Sequence, residues 1–515
     1  MHLNNYLKFL SILFFFIANL ILLFLSLKIF VGNKFFYFIF FTVINFYVFY
    51  SFKKSSLFLD KTLSIFLWLG FFYKLSIILI TDSIFPEGGG NFKYTSKNYN
   101  DLLFYSLTGI GSIFISSILF NFLTNKYISF NEKKKNQKIL FNFYQKKNLY
   151  IKLIFFFIII LIFFTNSYYG YYQKGLLPKE NINIYLGYII KWFLLFGLTS
   201  ISCLLIEYDL KINKKISLFV IALFFLELFL TNLSLLSRAL IFTGGAVLFS
   251  IYYNYEKNLL KKNYQNSFIV YFLILFVVFI ISIFPVNKLR HLNVVDQNFI
   301  ANKILNNYKN SVNTYAEDEL IKNNILNGDI EKNNLEEILK SEIDDQTKIE
   351  IIERDLKKTN NHIFDYKKNF DTVIFLIKNR FIGLDAVAAV SSYPEKNFNL
   401  FYSSLKEKFD SKKYGFYQRV FVIPFEQPHL INKKYTNTSK RHYGIIIPGV
   451  IGYLSYSGSI FFLFFSLSIV FIFCASIEAI SRKLSFNSVI FSNFVGYVLA
   501  YRLIHFGYLP GQTYL

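Results

Sequence analysis

Residues 151–167 read IKLIFFFIIILIFFTNS, an unbroken apolar stretch from Leu153 to Phe164 with Lys152 before it and polar residues after it. Lipid offers no partner for a backbone N–H or C=O, so a chain crosses a bilayer only as a helix that bonds within itself or as a closed barrel. The stretch is continuously apolar and does not alternate, which selects the helix. Runs of the roughly 20 mostly apolar residues needed to cross a hydrocarbon core of about 30 Å recur along the chain about eleven times. They fall near 8–30, 35–51, 62–81, 102–123, 151–167, 184–206, 216–235, 237–254, 267–285, 449–477 and 487–507. The first has no small-residue cleavage site and another follows almost at once, so it is expected to be a retained span and not a signal peptide.

Composition agrees with the runs. Of 515 residues, 54% are hydrophobic, 21% aromatic and only 17% charged, with a mean hydropathy of +0.40. A water-soluble chain of that length would split into domains with ordinary charged surfaces. Cys203 and Cys474 both lie inside apolar runs, leaving no disulfide framework and no cysteine-rich metal cluster.

Short loops set the orientation, because Lys and Arg beside spans are retained in the cytoplasm. The fourth and fifth runs are separated by Lys126, Lys133, Lys134, Lys135, Lys138, Lys146 and Lys147 against Glu132, and 255–266 adds Lys257, Lys261 and Lys262 against Glu256. Both loops are cytoplasmic only if the amino terminus is inside and the carboxyl terminus outside. The expected organisation is therefore all-α: a bundle of about nine spans over 1–285, a large and mostly helical outer loop over 286–447, and two further spans over 448–515. The middle of the loop, rich in Asn, Lys and Glu with Leu335, Ile338, Leu339 and Ile343 at helical spacing, reads as polar helices or as a disordered insertion.

That loop holds 25 Lys plus Arg against 21 Asp plus Glu, a net of +4, so +19 of the chain's formal +23 lies outside it. The basic balance is thus a topology signal. Nucleic-acid binding is disfavoured, since a phosphate-binding patch needs clustered cations on a soluble face.

Arginine is used sparingly: eight against 47 lysines. Arg238, Arg290, Arg354, Arg380, Arg419, Arg441 and Arg502 fall on the outer side of this topology and Arg482 alone on the inner side, the inverse of a topogenic pattern. Guanidinium grips phosphate oxygens at two points and keeps its charge, where ammonium acts as a flexible point charge. A diphosphate at the outer membrane boundary fits that preference. Arg238 opens the eighth run and Arg502 sits near the end of the last; the plainer reading of each is a helix anchor that snorkels to the interface.

Three charges fall within runs: Lys74, Lys191 and Glu227. Each costs about 2.5–3.5 kcal/mol at a helix centre. A mutual ion pair of Glu227 with a lysine would remove that cost; alternatively Lys74 or Lys191 adds positive potential to an outward-facing anion cavity. In the outer loop, Arg380 and Asp385 stand five apart with apolar residues between, as on an amphipathic helix lying on the membrane, with a surface salt bridge as the simpler account. Lys440-Arg441-His442-Tyr443-Gly444 precedes the tenth run and puts a His at the membrane entrance, a candidate general base or a solvated loop His; His291 and His505 are similarly placed.

This layout resembles the O-antigen polymerase and O-antigen ligase group of bacterial envelope proteins. The likeness covers the whole architecture and rests on Gly70-Phe71-Phe72-Tyr73-Lys74, Glu87-Gly88-Gly89-Gly90-Asn91-Phe92, Ser237-Arg238-Ala239, Arg380 to Asp385, and Pro448-Gly449 followed by Tyr453 to Gly458. It implies a polytopic inner-membrane glycosyltransferase whose large loop is periplasmic, whose donor is an undecaprenyl-diphosphate-linked oligosaccharide and whose acceptor is a sugar hydroxyl. It further implies a chain-length regulator protein as partner, alongside membrane lipid. On these positions, diphosphate binding passes to Arg238, Arg380, Arg441 and Arg502, the base role to His442 with Asp385 as alternate, and supporting charge to Lys74, Lys191 and Glu227. Fixed cations stabilise a leaving diphosphate without a metal or other cofactor. Polymerase and ligase stay open as alternatives, as does a non-enzymatic polytopic envelope or transport protein. A polyprenyl-phosphate-sugar transferase is disfavoured, because the first outer loop near 31–34, Val-Gly-Asn-Lys, carries no acid.

Overall fold

The computed structural model describes residues 2–83, 85, 89–127, 134–173, 184–213, 216–237, 240–258, 269–283, 285–286, 383–407, 414–426, 447–485 and 487–507. Among these the structure is helical, with no strand. The helices from the amino terminus are α1 His2–Ile29, α2 Lys34–Lys53, α3 Phe58–Ile80, α4 Ser96–Tyr127, α5 Lys134–Tyr169 with non-helical backbone at Lys147, α6 Tyr185–Asn213, α7 Leu218–Ser234, α8 Leu240–Asn258 and α9 Ile269–Ile283. Within the last part of the hydrophilic segment over 286–447 lie the short helices α10 Leu384–Ser391 and α11 Phe398–Leu405, and after it come α12 Gly449–Leu454, α13 Ile460–Leu484 and α14 Val489–Ile504.

Among the described residues, six helices are long and apolar enough to cross a membrane: Lys34–Lys53, Phe58–Ile80, Ser96–Thr124, Asn142–Tyr169, Tyr185–Asn213 and Ile460–Leu484. Five shorter apolar helices accompany them: Leu13–Ile29, Leu218–Ser234, Ile241–Tyr253, Ile269–Ile283 and Val489–Ile504. Large apolar side chains such as Phe14, Tyr185, Leu218 and Phe461 stand outward with three quarters or more of their surface exposed, which water would not tolerate on this scale and lipid does. The chain is a multi-pass membrane protein.

Short polar residues start the spans. Asn33 accepts from the N–H groups of Phe35 and Phe36, and Ser217, Ser459 and Ser488 each accept from the N–H three residues on, at the starts of α2, α7, α13 and α14. Two packed cores result. One gathers α1 to α4 with α10, α12, α13 and the end of α14; the other gathers α5 to α8 with the start of α14, so α14 belongs to both.

The end of the hydrophilic segment does not stand apart in solvent. Leu384 to Val390, Tyr417, Phe421 and Val422 belong to the first core, beside residues of α2, α3, α4 and α13. All eight residues of α10 are buried, which corrects the expectation of an amphipathic helix at the membrane surface around Asp385. The sequence LDAVAAVS explains why: three alanines and two valines leave a thin helix with no polar face to present, and close packing replaces amphipathicity.

Candidate functional site

Three of the stretches singled out in the sequence close around α10. Gly383 starts it at φ +130°, a conformation that side chains rarely adopt, and a Cβ there would stand 2.6 Å from the Phe71 ring. Gly90, at φ +57°, lies under α10, where a Cβ would meet the Phe421 carbonyl oxygen at 2.0 Å and Ala389 at 3.1 Å. Gly452 of α12 faces Ala386 across 3.1 Å on the same measure. Gly70 to Lys74, the glycine-rich loop after α3 and the Gly383 turn are therefore neighbours in space, although more than 300 residues separate the first from the last.

The charged feature of this convergence joins α3 to α10. Lys74 Nζ donates to Asp385 Oδ2 at 2.9 Å, and the two side chains are 1% and 2% exposed. Immediately before Lys74, residues Trp68–Tyr73 form a π-helical turn, and the Lys74 N–H reaches back to the Leu69 carbonyl. Such a turn rotates the following side chain relative to a regular helix, and it is common where a helix must aim a functional group. Glu426, at the end of the short helix Ile423–Glu426, closes the group: its Oε1 accepts from the Gly90 N–H at 2.9 Å. Burial raises the Glu426 carboxyl above its ordinary range, its bond from Gly90 pulls back, and the nearby negative charge of Asp385 pushes up further. The Tyr94 hydroxyl, which accepts from the Phe85 N–H, is raised by burial and feels both carboxylates.

A second set of cations stands at the same end of the bundle. Lys191 lies six residues into Tyr185–Asn213 and Lys74 six residues from the other terminus of Phe58–Ile80, each about 9 Å along its helix from that end. Lys191 too flanks a π-helical turn, Phe193–Gly197. Its ammonium sits 5.1 Å from the Tyr172 ring centre. Arg502, exposed in the last turn of α14, acts electrostatically on Lys191 and on Tyr172, whose hydroxyl burial raises and the guanidinium lowers. The Tyr172 turn is fixed by Asn166, which donates to the Tyr172 and Ser234 carbonyls at 3.0 Å and accepts from the Tyr172 N–H. This ties it to the end of α7, where Ser237 is the last described residue before Arg238. His505 donates from Nδ1 to the Tyr501 carbonyl and stacks on the Tyr501 ring at 4.0 Å.

Arg238, Arg380, Arg441 and His442 lie outside the described residues, as do Arg290, His291 and Arg354. Of the other arginines, Arg419 pairs with Glu407 and donates to the Tyr414 carbonyl, and Arg482 sits in the last turn of α13. The expected ion pair of Glu227 with Lys74 or Lys191 is absent among the described residues. Lys74 takes Asp385 instead, and Glu227 Oε1 accepts from the Thr199 and Thr231 hydroxyls at 3.1 and 3.2 Å. Two hydroxyls can serve a carboxyl group where no ammonium reaches it.

Sequence reading missed a set of buried acids at the opposite end of the bundle. Glu478 of α13 accepts from the Phe58 and Leu59 N–H groups at 2.7 and 2.8 Å, and Glu207 of α6 accepts from the Val489 and Ile490 N–H groups at 2.9 Å each and from Ser488. Each caps the start of a neighbouring helix, where orphan N–H groups and the helix dipole favour an anion. Asp60 accepts from Tyr47, Ser55, Ser117 and Asn121, and Asp209 from Tyr144, Lys152 and Ser217. Acids at the termini of apolar runs were the only signal available for them. Among the described residues no group of three or more His, Cys, Asp or Glu is arranged to hold a metal ion. No family model, curated protein or solved structure matches the chain.

Proposed function

We propose that the chain is a metal-independent glycosyltransferase that polymerises undecaprenyl-diphosphate-linked oligosaccharide repeat units at the periplasmic face of the bacterial inner membrane. In this reading the six long and five shorter apolar helices are eleven spans, the amino terminus is cytoplasmic and the carboxyl terminus periplasmic, and the large loop over 286–447 is periplasmic. The observation that carries it is the gathering of Lys191, Arg502 and Tyr172 at the same end of the bundle as the buried pair of Lys74 and Asp385, beside a segment that returns from the long loop to pack among the spans.

The chemistry follows from those charges. As the bond from the anomeric carbon to the diphosphate breaks, negative charge grows on the leaving oxygens, and fixed cations shielded from bulk water stabilise that state more than the ground state. Arg502, with Arg238, Arg380 and Arg441, holds the diphosphate, and Lys191 adds positive potential. A base takes the proton of the attacking sugar hydroxyl. Asp385 is buried and committed to Lys74, so it serves as a positioning residue for α10, and the base role falls to His442.

Purified protein in lipid nanodiscs, supplied with undecaprenyl-diphosphate-linked repeat units, tests this directly. A ladder of longer lipid-linked chains, unaffected by chelator, is the expected result. Transfer of preformed chains to a lipid acceptor without a ladder assigns the ligase branch, and the absence of both reactions overturns the proposal in favour of a non-enzymatic envelope protein. A ladder that chelator abolishes and magnesium restores overturns the metal-independent scheme.

A further inference from the structure

Glu227 takes no part in the glycosyl transfer proposed above. It is 0% exposed in the middle of α7, and its Oε1 takes both threonine hydroxyls. Its Oε2 is buried with no hydrogen-bond partner among the described residues, and the same holds for Ser200 Oγ and Ser202 Oγ, within one turn of Thr199 on α6. The described residues of α6 and α7 thus leave three buried polar atoms unsatisfied, in an interior where native proteins rarely leave any. The titratable group that faces Glu227 is the Cys203 thiol, one turn on from Thr199. The other charged side chains described on the elements packed against α7 are turned to other work or to the surface. Lys191 lies over Tyr172, Lys211 pairs with Glu207 beside the α14 start, Lys152 pairs with Asp209, and Lys146 and Lys147 are exposed on α5.

We propose that Glu227 is a proton-exchange site inside the bundle, which holds its proton on Oε2 and trades it with water reaching the hydroxyl-lined contact between α6 and α7. An ionised carboxylate there, with no cation paired to it among the described residues, would carry a desolvation penalty of several kcal/mol, while the neutral acid keeps both threonine bonds. The acid hydrogen then points from the one oxygen that the described residues do not engage. Intramembrane acids placed this way mark proton relays. This assignment is independent of glycosyl transfer.

A lipid-soluble carbodiimide reads the site. The neutral acid adds across one C=N bond: a carboxyl oxygen bonds to the central carbon, the acid proton passes to nitrogen, and migration of the acyl group from oxygen to nitrogen leaves a stable acylurea with nothing expelled. Full-length protein in lipid vesicles is treated with dicyclohexylcarbodiimide and mapped by mass spectrometry. The expected result is an adduct on Glu227 at about pH 6, roughly tenfold less at about pH 9, and none at that position in E227Q. Glu207 and Glu478, each of whose two oxygens already accepts a backbone N–H at a helix start, remain unmodified. Absence of the adduct from Glu227 at both pH values, or equal labelling of Glu207 and Glu478, overturns the proposal. The comparison among the three acids is made within the wild-type chain, so it decides the matter even where E227Q does not fold.

Discussion

At the end of the bundle where α3 and α14 begin, buried acids serve the fold. Glu207 and Glu478 each take two backbone N–H groups of a helix start, and Asp60 and Asp209 sit in closed sets of hydroxyl, amide and ammonium donors. At the opposite end the balance reverses. Lys74 has one buried acid, while Lys191 and Arg502 stand near each other, half-buried and exposed, with an aromatic hydroxyl between the elements that carry them. The difference separates charge that the backbone has already satisfied from charge that, in the function proposed, meets the diphosphate. An acid that receives a helix N-terminus has no capacity left for chemistry, whereas an exposed guanidinium beside a second cation gains by binding an anion.

The sharpest way to break this contrast is to remove one partner of the only fully buried ion pair at the cationic end among the described residues. Lys74→Met takes the ammonium away from the buried Asp385 carboxylate, and unfolding stability in detergent should fall by about 3–5 kcal/mol. Lys74→Met with Asp385→Leu should recover most of that loss; a double variant as unstable as the single one would show that the pair does not act as a unit. Arg502→Ala tests the other half. Its side chain is exposed, so the melting temperature should stay within error of wild type, while polymer formation falls about 10²–10³-fold and Arg502→Lys recovers only a small part. Loss of stability in step with activity would make Arg502 a helix anchor instead.

The legible part of the molecule was its solvent. Residues 151–167 and the runs like them declare apolar helices because the bilayer's demand on the backbone is one-dimensional and local. The pairing of Lys74 was not legible, since its partner lies 311 residues away across the long hydrophilic segment, and a charge in a run advertises only that it needs some partner. Glu227 was the nearer and wrong candidate for that reason. Asp385 misled in a second way: Arg380 to Asp385 has a charged residue at each end and reads as amphipathic, but the small residues Gly383, Ala386 and Ala389 were the decisive ones, because they let this stretch approach Phe71, Gly452 and Gly90. Glycines 90, 383 and 452 stood in or beside the stretches that looked distinctive. What could not be read was that they surround one helix.

At the acidic end, Glu478→Gln keeps one acceptor for the Phe58 and Leu59 N–H groups and loses the charge that complements the helix start. A loss of about 1–2 kcal/mol in unfolding stability is expected, with no change in proton-dependent labelling or polymer length. Gly496→Ala probes the same spot from α14, since a Cβ there would stand 2.3 Å from Glu478 Oε2 and would displace the cap. Equal instability in the two variants would place the effect in the cap.

The smallest effect belongs to Glu426, which joins the cationic end through Gly90. Its carboxyl is raised above the ordinary glutamate value of 4.5 in the folded chain, chiefly by burial. A raised acid binds its proton more tightly folded than unfolded, so stability falls as pH rises from 4.5 through the raised value and is level above it. Acidification from neutral pH towards about 5 should therefore raise the wild-type melting temperature relative to that of Glu426→Gln, by less than the shift caused by Glu478→Gln because the group is partly exposed. Parallel melting curves for the two proteins across that range would place the Glu426 carboxyl in water, and would remove its bond to Gly90 from the set of contacts that hold α10 against α3.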